Sequence, residues 1–128
     1  MIRVVYGCLL VLAMCGCQRS FDEQLAEEAR AYTEKHCPQR LDDYTMLDST
    51  VYDLQNRTYK NYLTLGRETP PTLLDNLPLV RQSLIRDLQD NPNWNSARER
   101  GVRFEYIYRM ERDGSRFSVL LGPDDYGA

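Results

Sequence analysis

Alternation of apolar and polar residues near the C-terminus limits most strongly what this chain can fold into. Apolar side chains occupy every second position in residues 102–110 and again in residues 117–121. Asp113-Gly114 lies between these two runs and is a strong signal for a tight turn. Because successive strand residues point to opposite faces of a sheet, the pattern predicts a β-hairpin. One face of this hairpin should lie on a core and the other mostly in water.

A first helix is predicted close to the start of the polar part of the chain. Ser20 and Glu23 have the spacing of a capping box, in which each residue satisfies a backbone N–H of the other. Apolar residues then recur at helical spacing along one face. The helix should end near His36, because Pro38 disfavours helical geometry at the residue before it.

A second helix is predicted to begin near Asn76 and to end at Asn91-Pro92. A shorter helix over residues 93–100 should follow, with Gly101 placed to cap it. The apolar stripe of the second helix, which should meet the sheet, consists of Leu77, Val80, Leu84 and Leu88.

Strand-forming residues in segments 44–54 and 58–65 flank a turn at Gln55-Asn56-Arg57 and predict a second hairpin. The predicted fold class is therefore α+β: a four-stranded antiparallel sheet, made of two hairpins, with two main helices on one face in the order αββαββ. This order resembles the αββ units of β-lactamase-inhibitor-like folds and, more loosely, cystatin-like proteins. The resemblance implies an architecture and no activity.

The N-terminal stretch has the pattern of a secretory signal. Arg3 precedes an apolar run in residues 4–14, and small residues and cysteines follow before the chain turns polar at Gln18. The run is shorter than the ~20 apolar residues that a membrane-spanning helix needs. We therefore predict a signal peptide over residues 1–16 and a single α+β domain over residues 17–128.

Met14-Cys15-Gly16-Cys17 resembles the lipobox of bacterial lipoproteins, in which a small residue precedes the cysteine that becomes the lipidated N-terminus. The resemblance implies lipidation of Cys17, with Cys15 as the alternative acceptor and an ordinary cleaved signal as the alternative process. Acyl chains would then anchor the domain to a membrane of the cell envelope. The expected location is the periplasmic side of the outer membrane, and the cell surface is the alternative.

Charge and cysteine content exclude several classes of protein. Without its signal peptide the chain carries fifteen basic and nineteen acidic residues, which argues against a nucleic-acid partner. Cys37 is the one cysteine left once the signal is removed and Cys17 is lipidated, so no disulfide framework is expected. No Cys/His spacing typical of zinc sites is present, and no glycine-rich phosphate loop suggests a cofactor.

Two kinds of residue cluster are candidate sites. His36-Cys37 suggests a nucleophile with its base, but neighbouring helix residues point about 100° apart and no third group is identifiable. The pairs Asp42-Asp43 and Asp124-Asp125 lack the ligand spacing of calcium loops. We therefore predict no catalytic, metal-binding or cofactor-binding residues.

Tyrosine is in excess, with nine among 128 residues, and combines apolar area with a polar tip suited to recognition. Tyr106 and Tyr108 share the phase of the core positions and are predicted to be core, whereas Tyr44, Tyr52 and Tyr62 remain open. The sequence favours a non-enzymatic binding or interaction module with a protein or glycan partner. A small lipid-anchored enzyme is the alternative.

Overall fold

The computed structural model describes residues 20–127, and the main elements follow the predicted order with several short additions. The predicted signal peptide and Cys17 lie outside the described residues. The helices are α1 (Phe21–His36), α2 (Pro71–Asp75), α3 (Leu77–Asp90), α4 (Asn95–Glu99) and α5 (Pro123–Tyr126). The strands are β1 (Gln39–Arg40), β2 (Thr45–Asp53), β3 (Thr58–Leu65), β4 (Arg103–Met110) and β5 (Arg116–Leu121). A 3-10 turn, Pro92–Trp94, joins α3 to α4.

Helix α1 begins and ends where the sequence predicted. The Ser20 hydroxyl accepts a hydrogen bond from the backbone N–H of Glu23 at 3.1 Å, as an N-cap should. The chain leaves the helix at Cys37, which is extended ahead of Pro38. Leu25 and Ala29 are buried and hold α1 against the sheet.

Helix α3 packs on the same core as α1 through the second half of its predicted apolar stripe. Leu88 is buried, and Leu84 and Ile85 pack against the core. In the first half, Val80 is half-buried and is not among the residues that pack on this core. Leu77 is 38 % exposed. Since α3 begins at Leu77, this side chain lies in the first turn, ahead of the part of the helix that packs on the core.

The sheet has the strand order β1-β2-β3-β4-β5, and both predicted hairpins are present as antiparallel pairs. Strands β3 and β4 run parallel, with Tyr59 opposite Phe104. The prediction of a four-stranded antiparallel sheet is therefore wrong in its strand number and in its central pairing. The fold is α+β with a five-stranded mixed sheet.

The connection between the hairpins explains the parallel pair. Helices α2, α3 and α4 carry the chain from the end of β3 back to the level at which β3 began, and β4 then runs beside β3 in the same direction. Strand β1 was missed because its two residues are too few to show alternation; it pairs with β2 through Gln39 and Arg40.

The C-terminal hairpin supplies much of the face that the helices cover, in the register that the alternation predicted. Phe104 is 1 % exposed and belongs to the buried cluster that also contains residues of both main helices. Tyr108 is buried, which confirms its core position, and Tyr106 is half-buried between two parts of the core. The seven residues predicted to share this face are Val102, Phe104, Tyr106, Tyr108, Phe117, Val119 and Leu121, and all are buried or half-buried.

The opposite face of the sheet carries a mixture of charged, polar and apolar side chains. Arg103 and Arg109 are exposed there, and Val51 and Leu120 are about half exposed. None of the helices in residues 20–127 has both the length and the apolar character needed to cross a bilayer.

Candidate ligand-binding cleft

A cleft of about 400 Å³ opens on the covered side of the sheet, between α1, the β2–β3 hairpin and the chain that follows α3. We call it the cleft, and its lining is aromatic and amide-rich. Its lining residues are Glu28, Tyr32, Leu47, Thr50, Tyr59, Asn61, Asn91, Asn93 and Trp94. Sites for small ligands commonly combine such an apolar wall with a few polar groups that fix orientation.

Asn61 lines this site from the central strand of the sheet. It lies on β3, the third of five strands, and has the inward phase of Tyr59 and Leu63. Thr50 on β2 and Tyr106 on β4 are its neighbours in register. Among residues 20–127, nothing forms a hydrogen bond with the Asn61 side chain. Asn61 is half-buried and its amide opens to the cleft, so its donors and its acceptor are available to a ligand.

Thr50, the cross-strand neighbour of Asn61, differs in that its polar atoms are satisfied within the fold. Its hydroxyl donates to the carbonyl oxygen of Ala29 at 2.7 Å. The Thr33 hydroxyl accepts from the Thr50 N–H at 2.8 Å and lies 3.0 Å from the Thr50 carbonyl oxygen. These bonds dock α1 on β2, so Thr50 has a structural role.

Two aromatic side chains form one wall of the cleft. The Trp94 ring packs edge-on against Tyr59, with 4.9 Å between centroids, and against Phe104 at 5.2 Å. Asn91 positions this wall, because its side-chain oxygen accepts the Asn93 N–H at 3.0 Å and caps the turn that carries Trp94. Burial raises the pKa of Tyr59, so its phenol remains neutral.

The opposite rim comes from α1. Tyr32 is 37 % exposed, and its hydroxyl donates to the side-chain oxygen of Gln39 at 2.5 Å. Glu28 is the one charged residue among those that line the cleft. The site therefore offers amide donors and acceptors with one carboxylate and no cationic group.

A second cavity, which we call the groove, lies between α2, α3 and the other end of the sheet and has a volume of about 460 Å³. Its wall combines aliphatic and polar residues with the stacked rings of Tyr108 and Phe117, whose centroids are 4.9 Å apart. Burial, and then the carboxylates of Asp42 and Asp87, raise the pKa of Tyr108 to about 12. The groove thus offers one side-chain amide, that of Asn76, where the cleft offers three.

The structure does not join His36 and Cys37 into a catalytic pair. The His36 ring packs on Tyr32, with 4.7 Å between centroids, while Cys37 packs against the core beneath the groove. Burial is the largest cause of a raised pKa at the Cys37 thiol, which disfavours the reactive thiolate. We expect native-state alkylation of Cys37 to be slower than alkylation of the unfolded chain.

One member of each acidic pair accepts hydrogen bonds within the fold. Asp42 accepts the N–H groups of Tyr44 and Thr45 at 3.0 and 2.8 Å. Asp125 accepts the Gly122 N–H at 2.9 Å and an Arg81 guanidinium N–H at 2.6 Å, and these two contacts lower its pKa. Within residues 20–127, no three His, Cys, Asp or Glu side chains are grouped to hold a metal ion.

Of the tyrosines left open, Tyr52 is buried, whereas Tyr44 and Tyr62 are half-buried. Sequence reasoning missed the residues that give the cleft its character, Asn61 and Trp94 above all. A signal for Asn61 was available, because it is a polar residue at an inward position of a strand between Tyr59 and Leu63. No local pattern indicated that Trp94 would meet β3.

Comparison with known proteins identifies a family and a fold. A family model described as a domain of unknown function, DUF8479, matches residues 20–117. The fold is similar to the crystal structure of a Pseudomonas aeruginosa protein that is inferred to be secreted, with a TM-score of 0.67. The two chains share 12 % identity over 85 % of this chain and 99 % of the other. None of the curated proteins matches the chain.

Proposed function

Because the chain belongs to the DUF8479 family, whose description assigns no activity, we propose a function from its own residues. It is a lipid-anchored protein of the bacterial cell envelope that binds a partner in the cleft and catalyses no reaction. The observation that carries this proposal is the Asn61 amide, which faces the cleft without a hydrogen-bond partner among the described residues. A group of this kind gains its partner when a ligand binds.

The N-terminal sequence supports the anchoring. Gly16-Cys17 ends an apolar run of signal-peptide length, and the chain is polar from Gln18 onward. The similar Pseudomonas aeruginosa protein is inferred to be secreted, which is consistent with a location outside the cytoplasm. With acyl chains on Cys17, the α+β domain would be held in water close to a membrane surface.

Intact mass spectrometry of the membrane fraction tests the anchor. We expect a mature chain that starts at Cys17 and carries acyl chains, and a Cys17→Ser variant that lacks them. A lipidated chain that starts at Cys15 would shift the processing site, and a soluble, unmodified chain starting at Gln18 would contradict the proposal. Protease treatment of intact cells then distinguishes the periplasmic side from the cell surface, because a periplasmic domain is protected.

The binding role is supported by the contrast between the cleft and the candidate catalytic groups. The cleft combines an aromatic wall, three amides and one carboxylate. The pKa of its phenol, Tyr59, is raised. The pKa of the Cys37 thiol is also raised, which disfavours the reactive thiolate. Catalysis favours groups whose pKa values lie near the working pH, and neither shift is in that direction. Recognition suits this set of side chains better than proton transfer or nucleophilic attack does.

Site-specific photo-cross-linking in cells tests binding at the cleft. A photoreactive residue replaces Asn93 at the rim of the cleft, and the matched control carries it at Arg103, on the opposite face of the sheet. We expect a cross-linked product from position 93 that is absent from position 103 and is lost when Asn61→Leu is added. The same products from both positions, or none from position 93, would contradict a binding role for the cleft.

A further inference from the structure

We infer that the ligand of the cleft is a neutral carbohydrate, bound as a short oligosaccharide. This inference rests on the proposed function and specifies its ligand. It draws on the aromatic wall, the unused hydrogen-bonding capacity and the charge of the cleft.

The aromatic wall offers the surface that a sugar ring needs. One side of a pyranose is a patch of C–H groups, and these groups pack favourably against the electron-rich face of an aromatic ring. Trp94 is partly exposed at the cleft, and Tyr32 on the facing rim is 37 % exposed. The two side chains come from different elements, and both offer aromatic surface to a ligand in the cleft.

The amides supply the matching hydrogen bonds. Each Asn side chain has two N–H donors and a carbonyl acceptor, and a sugar hydroxyl can both donate and accept. The Asn91 oxygen is occupied by the Asn93 N–H, which leaves the Asn91 amino group free. The amides of Asn61 and Asn93 have no hydrogen-bond partner within residues 20–127. Donors and acceptors in this mixture suit vicinal hydroxyl or acetamido groups.

The charge of the cleft selects against acidic ligands. Glu28 is the one charged residue of the lining, and no Lys, Arg or His side chain stands among the lining residues that the structure describes. An anionic sugar, a phosphate or a nucleotide would lose its hydration here without gaining a cationic partner. A neutral sugar meets no such penalty, and its hydroxyl groups can donate to the Glu28 carboxylate.

The groove has fewer amides to offer a sugar. Asn76 is the one amide residue of its lining, and its amino group donates to the Thr72 carbonyl oxygen at 2.9 Å. Asp42, one of its two carboxylates, already accepts two backbone N–H groups. The mixture of free amide donors and acceptors that suits a carbohydrate is therefore richer in the cleft than in the groove.

Trp94 makes the inference directly measurable, because it is the one tryptophan of the chain and it lines the cleft. The full chain, in a detergent without a sugar headgroup, is titrated with cellotriose, with triacetylchitotriose and with trigalacturonate. We expect a saturable change in Trp94 emission with at least one of the two neutral trisaccharides and at least tenfold weaker binding of the acidic one. Asn61→Leu should weaken binding of the neutral sugar at least tenfold, whereas Tyr62→Phe, a loss of one hydroxyl on the opposite face, should leave it unchanged.

The outcomes separate this inference from the proposed function. Equal or tighter binding of trigalacturonate, or binding that survives Asn61→Leu, would overturn the assignment of a neutral sugar to the cleft. If no trisaccharide changes Trp94 emission while position 93 still cross-links a protein, the carbohydrate inference fails and the binding role stands. If neither measurement detects a partner, both proposals fail.

Discussion

The two hairpins of the sheet are built alike and differ in what they present to the helices. The inward positions of the β4–β5 hairpin are apolar or aromatic throughout, and Phe104 at its centre is 1 % exposed. The β2–β3 hairpin instead places two polar side chains directly opposite each other on the inward face, Thr50, which is buried, and Asn61, which is half-buried. The C-terminal hairpin therefore supplies core, whereas the N-terminal hairpin interrupts the core where the cleft opens.

Thr50 and Asn61 differ in whether the fold provides hydrogen-bond partners for their side chains. Thr50 bonds to Ala29 and Thr33 of α1 and has its polar atoms satisfied within the fold. Asn61, one strand away, has no such partner in the described chain. An inward polar residue with partners positions an element, and one without partners is available to a ligand.

The largest effect should come from the core hairpin. Phe104→Ala removes a ring that packs on Trp94, Tyr59 and Tyr126, with centroid separations of 5.2, 6.2 and 6.1 Å. We expect the free energy of unfolding to fall by about 3–5 kcal/mol, as large aromatic truncations in cores do. Denaturant melts measure it. A loss below about 1 kcal/mol would mean that the C-terminal hairpin is not the core of the sheet.

A smaller loss is expected at the polar position that serves the fold. Thr50→Val keeps the shape of the side chain but removes the 2.7 Å bond to the Ala29 carbonyl oxygen and the contact with the Thr33 hydroxyl. Unfolding should become easier by about 1–3 kcal/mol, because buried polar groups lose their partners. Thr64→Val, a similar change on the outer face of β3, is the control and should cost less. Equal costs would remove the structural role that we assign to Thr50.

The two hairpins also differ in how much of their structure could be predicted from the sequence. The inward positions of residues 102–110 and 117–121 are apolar or aromatic throughout, so these strands, the turn between them and their inward phase were all predictable. In β2 the register shifts between Leu47 and Ser49, which places Leu47 and Thr50 on the same face although they are three residues apart. Alternation cannot follow such a bulge, because its period is two.

The parallel pairing of β3 with β4 depends on how the helical connection crosses the sheet, which no local pattern encodes. The cleft could not be predicted from the sequence for the same reason. Its residues come from α1, β2, β3 and the turn before α4, and only the tertiary packing brings Trp94 to within 4.9 Å of Tyr59. The N-cap at Ser20 was predictable because a cap involves residues three apart.

The outer face of the core hairpin should be almost insensitive to substitution. Arg103 is adjacent to Phe104 in sequence but is exposed on the opposite face. Arg103→Ala should change the free energy of unfolding by no more than about 0.5 kcal/mol. This variant and Phe104→Ala form a matched pair, and if the arginine truncation costs as much as the phenylalanine truncation, the register of β4 is wrong.

The central claim, that Asn61 serves a ligand and Thr50 serves the fold, is tested most directly by the stability of Asn61→Leu. Leucine is close to asparagine in shape and replaces an unpartnered amide with an apolar side chain on the covered face of the sheet. Its denaturant melt, measured beside that of Thr50→Val, should show a free energy of unfolding that is unchanged or up to about 1 kcal/mol higher. A fall of about 1–3 kcal/mol, comparable to that of Thr50→Val, would show that the Asn61 amide supports the fold and would contradict its assignment to the site.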